Sequence, residues 1–538
     1  MTEPIYNLLD EPWVKVTNLQ GEEEMLSITS TLVKSHELRS LSGEMPSQDL
    51  AILRLLLGVL YSIYTRTEEY ENARDDESKD ACMDMWERLW KRSHFLENEI
   101  VDYLQKYRDR FWLRHPELPF YQLAEIKKGS DFVTSKMIGS MVESSNKTML
   151  FQSRTGKSKQ YLDYPEATRW LLYLNSFDDA SAKPSQKGLE SMSVAWLGQL
   201  GLVYVAGANL FETLMLNFSL VNFNIGEGEP WGKGDATWEL EKPRTAERTV
   251  ITVPSSAEEL FTLQSRRIQL KYQGDKVTGF TLLGGDKFDS EDAFAEPMTT
   301  WKLSKSKTGS GEVFIPPSNA ARNPSKQLWR DFAPLLLEAE SDSEKHRKPG
   351  VLKWISELDG IISSKQVQIC TMSIKYGNMQ SGIDEVWDDT LSVNTFILSK
   401  VGEKWIGRIT NIVKTTEDLV KTLGNLASNI AKASGSVDGL NQRNYAMERA
   451  YAALDIPFRT WLASIDDTSN INEKCNKWID KAKRVILDHG ENLVSQAGTQ
   501  AFVGRTVIVG NKESHYSTPR VYGWFKGGIS KILSNKIQ

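Results

Sequence analysis

The sequence predicts an α+β fold: a large mixed α/β N-terminal domain over residues 1–389, followed by a C-terminal four-helix bundle over residues 390–538. Three observations predict it. Residues 49–64 repeat apolar side chains at helical spacing, whereas residues 247–283 alternate with the period of a strand. From Asp389 onward that mixture ends, and long amphipathic segments follow one another. A chain of 538 residues also exceeds what one simple core organises, so more than one domain is expected.

In the first domain, Ile52, Leu55, Leu56, Val59, Leu60 and Ile63 form one stripe of a helix entered through Pro46, Ser47, Gln48 and Asp49. Residues 68–80 are charged enough to read as a solvated face or loop, and residues 86–107 resume a helical pattern. Over residues 120–160, seven basic side chains meet three acidic ones. The polar run 129–159 is long for a plain connection, and such loops tend to be functional or disordered. Residues 165–224 read as mainly helical, interrupted by a loop at 178–187. Residues 248–253 read as a strand, and 268–272 with 277–283 as a hairpin turning at Gln273-Gly274-Asp275. Residues 304–317 and 338–350 are surface connections. In the second domain, residues 406–433, 444–463 and 472–495 are helices, and 390–403 supplies the fourth. The last 34 residues carry six basic side chains against Glu513 and read as a solubilising tail or a segment lying near DNA.

Composition and motifs remove several function classes. Forty per cent apolar and a quarter charged residues describe an ordinary globular chain. No apolar run approaches the roughly 18 residues that span a bilayer. The opening Met1-Thr2-Glu3-Pro4 shows no basic-then-apolar leader, so no membrane partner is expected. Cys82, Cys370 and Cys475 are isolated, which speaks against a disulfide framework or zinc ribbon and suits a reducing cytoplasm. The net charge of −6 means that any nucleic-acid surface is a local patch or is completed by partners, because phosphate neutralisation supplies most non-specific affinity. Gly156-Lys157-Ser158 ends like a phosphate-binding loop, but Phe151 stands where that loop needs its first glycine. The six histidines are scattered, none with a second at metal-ligand spacing. Asp384, Glu385, Asp388 and Asp389 crowd one segment. Two-metal nucleases use such clusters, yet acids at a helix start are equally stabilised by the macrodipole, and no His or Lys joins them. The chain is therefore read as a non-enzyme without cofactor or metal.

The most informative stretch is Tyr376-Gly377-Asn378-Met379-Gln380-Ser381-Gly382-Ile383-Asp384-Glu385. Amides at a polar turn carry both donors and acceptors, the equipment for reading or parting nucleobases. Further segments stand elsewhere along the chain: Asn7-Leu8-Leu9-Asp10-Glu11-Pro12-Trp13, then Glu44-Met45-Pro46-Ser47-Gln48-Asp49 with Arg54. Thr262-Leu263-Gln264-Ser265-Arg266-Arg267-Ile268 follows, then Gly285-Asp286-Lys287-Phe288, Glu296-Pro297-Met298 with Trp301, and Pro324-Ser325 with Leu328-Trp329-Arg330. Together and in this order they resemble the large subunit (CasA family) of the type I-E CRISPR surveillance complex, Cascade.

The resemblance implies a subunit that grips duplex DNA at the short motif beside the target (the PAM), helps part the strands and recruits a nuclease–helicase. The implied partners are the other Cascade subunits, guide RNA, double-stranded target DNA and that nuclease–helicase; guide pairing reads the target itself. Gln380, with Asn378 and Met379, corresponds to the family's wedge, and Lys287 to its minor-groove lysine. Outside the resemblance, Lys287 reads as an exposed turn lysine. The family's glycine loop falls within residues 180–188, where Lys183 and Ser185 replace glycines and would read by side chain. Phe151, with Gln152 and Arg154, corresponds to the loop that docks on the guide-RNA end of the complex; Phe151 reads equally as a core residue of a strand. Arg266 and Arg267 are adjacent on a strand and face opposite ways, so at most one points to a groove. Two rivals stay open: a scaffold without DNA contact, which the acidic charge favours, and an enzyme with a dispersed site.

Overall fold

In the computed structural model, residues 3–534 are described apart from 139–153, 155, 182–191, 224–227, 252–253, 255, 292, 294, 307–308, 310, 318–325, 338–345, 363–364 and 510–511. The chain divides into two units. The first takes Met1–Ser325, Pro334–Ile361 and Val367–Thr390; the second takes Lys326–Ala333, Ile362–Gln366 and Leu391–Gln538.

The first unit is built on the Pro46–Tyr64 helix, which is buried on nearly every side. Its entry is capped from the side: Gly43 N donates to Asp49 Oδ1 at 2.7 Å and Glu44 N to Gln48 Oε1 at 3.1 Å. Among the described residues this helix alone is long and apolar enough to cross a membrane by length and composition, which corrects the expectation that no run comes close. Eighty-nine per cent of that window is buried inside the unit. Its Arg54 forms a fork with Glu296, at 2.8 and 3.0 Å, and lies 4.3 Å over the Phe261 ring. Trp196 Nε1 completes the Glu296 carboxylate at 3.0 Å. Arg54 and Glu296, two residues of the resembling segments, are thus a satisfied core ion pair.

The helices Tyr164–Phe177 and Ala257–Phe261 pack on this helix, and the unit also holds several small sheets. Arg266–Gln273 and Lys276–Gly284 form the expected hairpin, turning through Gly274 at φ 63°, and Ser130–Val133 adds a third strand beside Lys276–Gly284. The strand expected at 248–253 is described only at Val250–Ile251, which pairs in parallel with Lys287–Phe288. Of the two readings of residues 68–80, the solvated face holds, carried on a helix over most of the segment. Thr67 caps a helix at Glu68–Asp75 that buries Tyr70 and Ala73, so two apolar residues sufficed to seat a charged helix. Another sheet has the order Ile383–Asn394, Gln366–Tyr376, Leu202–Ala206.

The second unit is a four-helix bundle: Glu403–Ser434, Gly439–Ala463, Ile471–Ser495 and Thr518–Ser534, with the first packed on the other three. The fourth helix is not at 390–403. There the strand runs on to Asn394, whose side chain caps the four-residue helix Thr395–Leu398. The alternation that buries Leu391 and Val393 favours strand over helix. The true fourth helix lies in the basic tail, where Val521, Phe525 and Ile529 recur every fourth residue and are buried. Phe525 packs so closely on Gly490 that a Cβ there would stand 2.4 Å from Phe525 Cε1. Trp329 stacks on Phe458 at 4.4 Å and donates to Asp455 Oδ1 at 3.0 Å. Arg330 beside it bonds Glu417 at 3.2 Å and covers the Tyr451 ring. The Leu328-Trp329-Arg330 segment therefore anchors within the helical unit.

Candidate nucleic-acid interface

The Tyr376–Glu385 stretch is the tip of a hairpin between Gln366–Tyr376 and Ile383–Asn394, not a lead-in to a helix. Three backbone bonds close the tip: Gly377 N to Gly382 O at 3.1 Å, Gln380 N to Gly377 O at 2.9 Å, and Ser381 N to Asn378 O at 3.1 Å. Met379 and Gln380 both hold left-handed backbone, at φ 54° and 57°. For residues with a Cβ this costs roughly 1–2 kcal/mol each. Met379 is 87% exposed, and the Asn378 and Gln380 side chains are exposed beside it. Asp384, Glu385, Asp388 and Asp389 lie on the returning strand, so the macrodipole account of that cluster does not apply. Among the described residues no group of three or more His, Cys, Asp or Glu is placed to hold a metal ion.

The tip is exposed but its base is fixed. Tyr376 Oη donates to Phe177 O at 2.7 Å, in a space that exists because residue 198 is glycine: a Cβ there would lie 2.1 Å from the Tyr376 hydroxyl oxygen. Residues 178–181 then run alongside the tip. Ala180 N donates to Gln380 O at 2.9 Å, and Gly382 N donates to Asp179 Oδ2 at 2.8 Å. The Asp179 carboxylate also accepts from Ser181 N at 2.9 Å and pairs with Lys136 of the short helix Thr134–Met137. Burial raises its pKa, but Lys136 and these hydrogen bonds outweigh burial and hold it at about 2.

Arg266 lies behind this segment with a fully buried side chain. Its Nε donates to Asp178 Oδ2 at 2.5 Å, and its Nη2 to Asp178 O and Asp179 O at 3.1 Å and Ser193 O at 3.0 Å. Arg267, on the other face of the strand, bonds Asp286 at 2.6 Å and the carbonyls of Thr245, Gln264 and Glu247. Both arginines are buried structural partners, within the expectation that at most one points to a groove. Gly285 explains why these segments meet. A Cβ there would stand 2.2 Å from Gln264 O, so only glycine lets the Asp286–Lys287 turn lie against the strand.

Lys287 is half-buried, its amide bonded to Thr249 O at 3.0 Å, and it lines a small cavity with Met192, Ser193, Arg266 and Asp286. It is not the exposed turn lysine of the plain reading. Arg154 pairs with Glu166. Phe151, Gln152, Lys183 and Ser185 lie outside the described residues.

The sequence model of the family described as CRISPR-associated protein Cse1 matches residues 7–489. The chain belongs to this family. The CasA/Cse1 protein of Thermus thermophilus is 25% identical over 493 residues, covering 87% of this chain and 89% of its own. The crystal structure of Thermobifida fusca Cse1 superposes with a TM-score of 0.83 at 28% identity over 98% of each chain. A chain of a CRISPR RNA-guided surveillance complex shares the fold at a TM-score of 0.68 and 16% identity, over 99% of this chain and 100% of that one. The family and the α+β class expected from sequence are both borne out.

In this Cse1 chain the residues that sequence reasoning missed are Lys136, Asp178 and Asp179. The one available signal was the Asp178-Asp179 pair standing immediately before a polar run, which reads as loop chemistry until Arg266 is found behind it.

Proposed function

We propose that this chain is the non-catalytic large subunit of a type I-E CRISPR Cascade complex, which recognises the PAM in duplex DNA and helps start strand separation. Membership of the Cse1 family supports the placement, and a relative of the same fold is a chain of an RNA-guided surveillance complex. The observation that carries the mechanism is the hairpin tip: an exposed Met379 between two exposed amides, on strained backbone, over a base anchored by hydrogen bonds. An apolar side chain entering a base step costs a few kcal/mol of unstacking, offset by the contacts it gains. The Asn378 and Gln380 amides then bond the freed base edges. Lys287 supplies a donor for the acceptor-rich minor groove, whose degenerate pattern suits tolerant motif reading. The remaining phosphate contacts come from neighbouring subunits, since this chain carries −6.

The other Cascade subunits and the guide RNA hold the chain in the complex, and the opened strands recruit the separate nuclease–helicase. Three free, buried cysteines suit work in the reducing cytoplasm. The acidic charge favours one rival, a scaffold that does not touch DNA. Binding of guide-loaded complex to target duplexes with randomised flanking trinucleotides, with and without this chain, decides between them. Flank-dependent binding that needs the chain and weakens with Gln380→Ala or Lys287→Ala supports PAM reading. Flank selection that survives without the chain supports the scaffold.

A further inference from the structure

The hairpin tip cannot work as a wedge unless something resists the force of entering a stacked duplex. Beyond Tyr376 the hairpin braces the tip by short-range backbone bonds alone, and the tip bends through two left-handed residues and two glycines. Support comes from outside the hairpin, from residues 178–181. One backbone bond (Ala180 N to Gln380 O) and one carboxylate bond (Gly382 N to Asp179 Oδ2) tie them to both sides of the tip. Those residues are themselves fixed, because Arg266 bonds Asp178 and Asp179 on one side of the 182–191 segment and Ser193 on the other. Ala195 N adds a direct bond to Asp178 O at 2.9 Å.

We infer that Asp179, held by Arg266 and Lys136, is the positioning residue of the wedge, tying the hairpin tip to residues 178–181. The inference rests on the wedge reading above. Asp179 touches no base; it acts through the Gly382 amide. Its carboxylate suits the task because it is anionic and acceptor-only, so one side chain takes the Gly382 and Ser181 amides and the Lys136 ammonium together. An amide in its place has a single acceptor oxygen and turns a donor toward one of those three donors.

The test uses the assembled guide-loaded complex and two target duplexes with the same flank, one fully paired and one mismatched over the first target positions so that it is already open. A mispositioned wedge is bypassed by the open duplex, whereas a misfolded subunit binds neither. Asp179→Ala is expected to weaken binding to the paired duplex by about tenfold, the equivalent of one lost charge-assisted hydrogen bond, and to leave the open duplex within about twofold. Asp179→Asn falls between wild type and Asp179→Ala. Gln380→Ala shows the same pattern, and adding Asp179→Ala to it weakens binding no further. If Asp179→Ala matches wild type on the paired duplex while Gln380→Ala is impaired, the positioning role is wrong and the wedge reading survives. Equal losses on both duplexes also overturn it, leaving Asp179 a fold residue only. A Gln380→Ala chain that behaves as wild type overturns the wedge reading itself, and the inference with it.

Discussion

Replacing Arg266 with Met removes a guanidinium from a site where neither it nor its partner meets water: the Arg266 and Asp178 side chains are 0% and 1% exposed. Met follows the aliphatic stem, so the loss is electrostatic rather than a cavity. The Asp178 carboxylate stays buried while this cation is gone, and the Asp179 and Ser193 carbonyls lose this donor, while Asp178 O keeps the Ala195 amide. Breaking a buried pair from one side costs about 3–5 kcal/mol. The two carbonyls account for about 2 kcal/mol of that, at about 1 kcal/mol per hydrogen bond. The charge accounts for the rest, and it is recoverable. In the Arg266→Met/Asp178→Asn chain the carboxylate is gone and only the carbonyl loss, about 2 kcal/mol, remains. Urea unfolding of each chain measures this, together with hydrogen exchange at the Ala180 and Gly382 amides, which should quicken. A single variant within about 1 kcal/mol of wild type, or a double variant as weak as the single, refutes the reasoning.

The Asp179 carboxyl has a folded pKa of about 2, below the roughly 3.9 of an unfolded aspartate. Its stabilisation is therefore complete above about pH 4 and is lost as pH falls through about 2. Asp179→Asn should flatten the acid limb of a stability–pH profile in that window. Met379→Gly relieves a left-handed residue on an exposed tip, so the unfolding free energy in urea should hold or rise, by up to about 1 kcal/mol, while duplex opening weakens. Gly490→Ala drives a methyl into the Phe525 ring and should destabilise the helical unit by about 1–3 kcal/mol in urea, leaving the first unit's transition in place. Trp329→Ala removes the ring stacked on Phe458 and should cost the same unit about 3–5 kcal/mol by the same measurement.

What the sequence disclosed, and what it hid, follows from the range of the interaction concerned. The Pro46–Tyr64 helix, the 266–284 hairpin and three of the bundle helices announce themselves through periodicity, which is local and survives any tertiary context. The fourth helix was concealed by its own solubility. Val521, Phe525 and Ile529 carry a helical stripe as regular as the others, but Arg520, Lys526 and Lys531 around it read as tail composition. The site divides in the same way. Asn378, Met379 and Gln380 were legible because three polar or pliant residues between glycines have no use in a core. Their support was not, because it depends on partners far apart in sequence: Gly382 with Asp179 across 203 positions, and Arg266 with Asp178 across 88. An arginine on a strand looks the same whether it will meet a phosphate or a buried aspartate. Only the fold decides, and here it commits both arginines of the Arg266-Arg267 pair to holding loops in place. Arg266 and Arg267 thus serve geometry rather than affinity. On the proposed reading, a chain with a net charge of −6 would contribute direction to DNA binding and leave attraction to its partners.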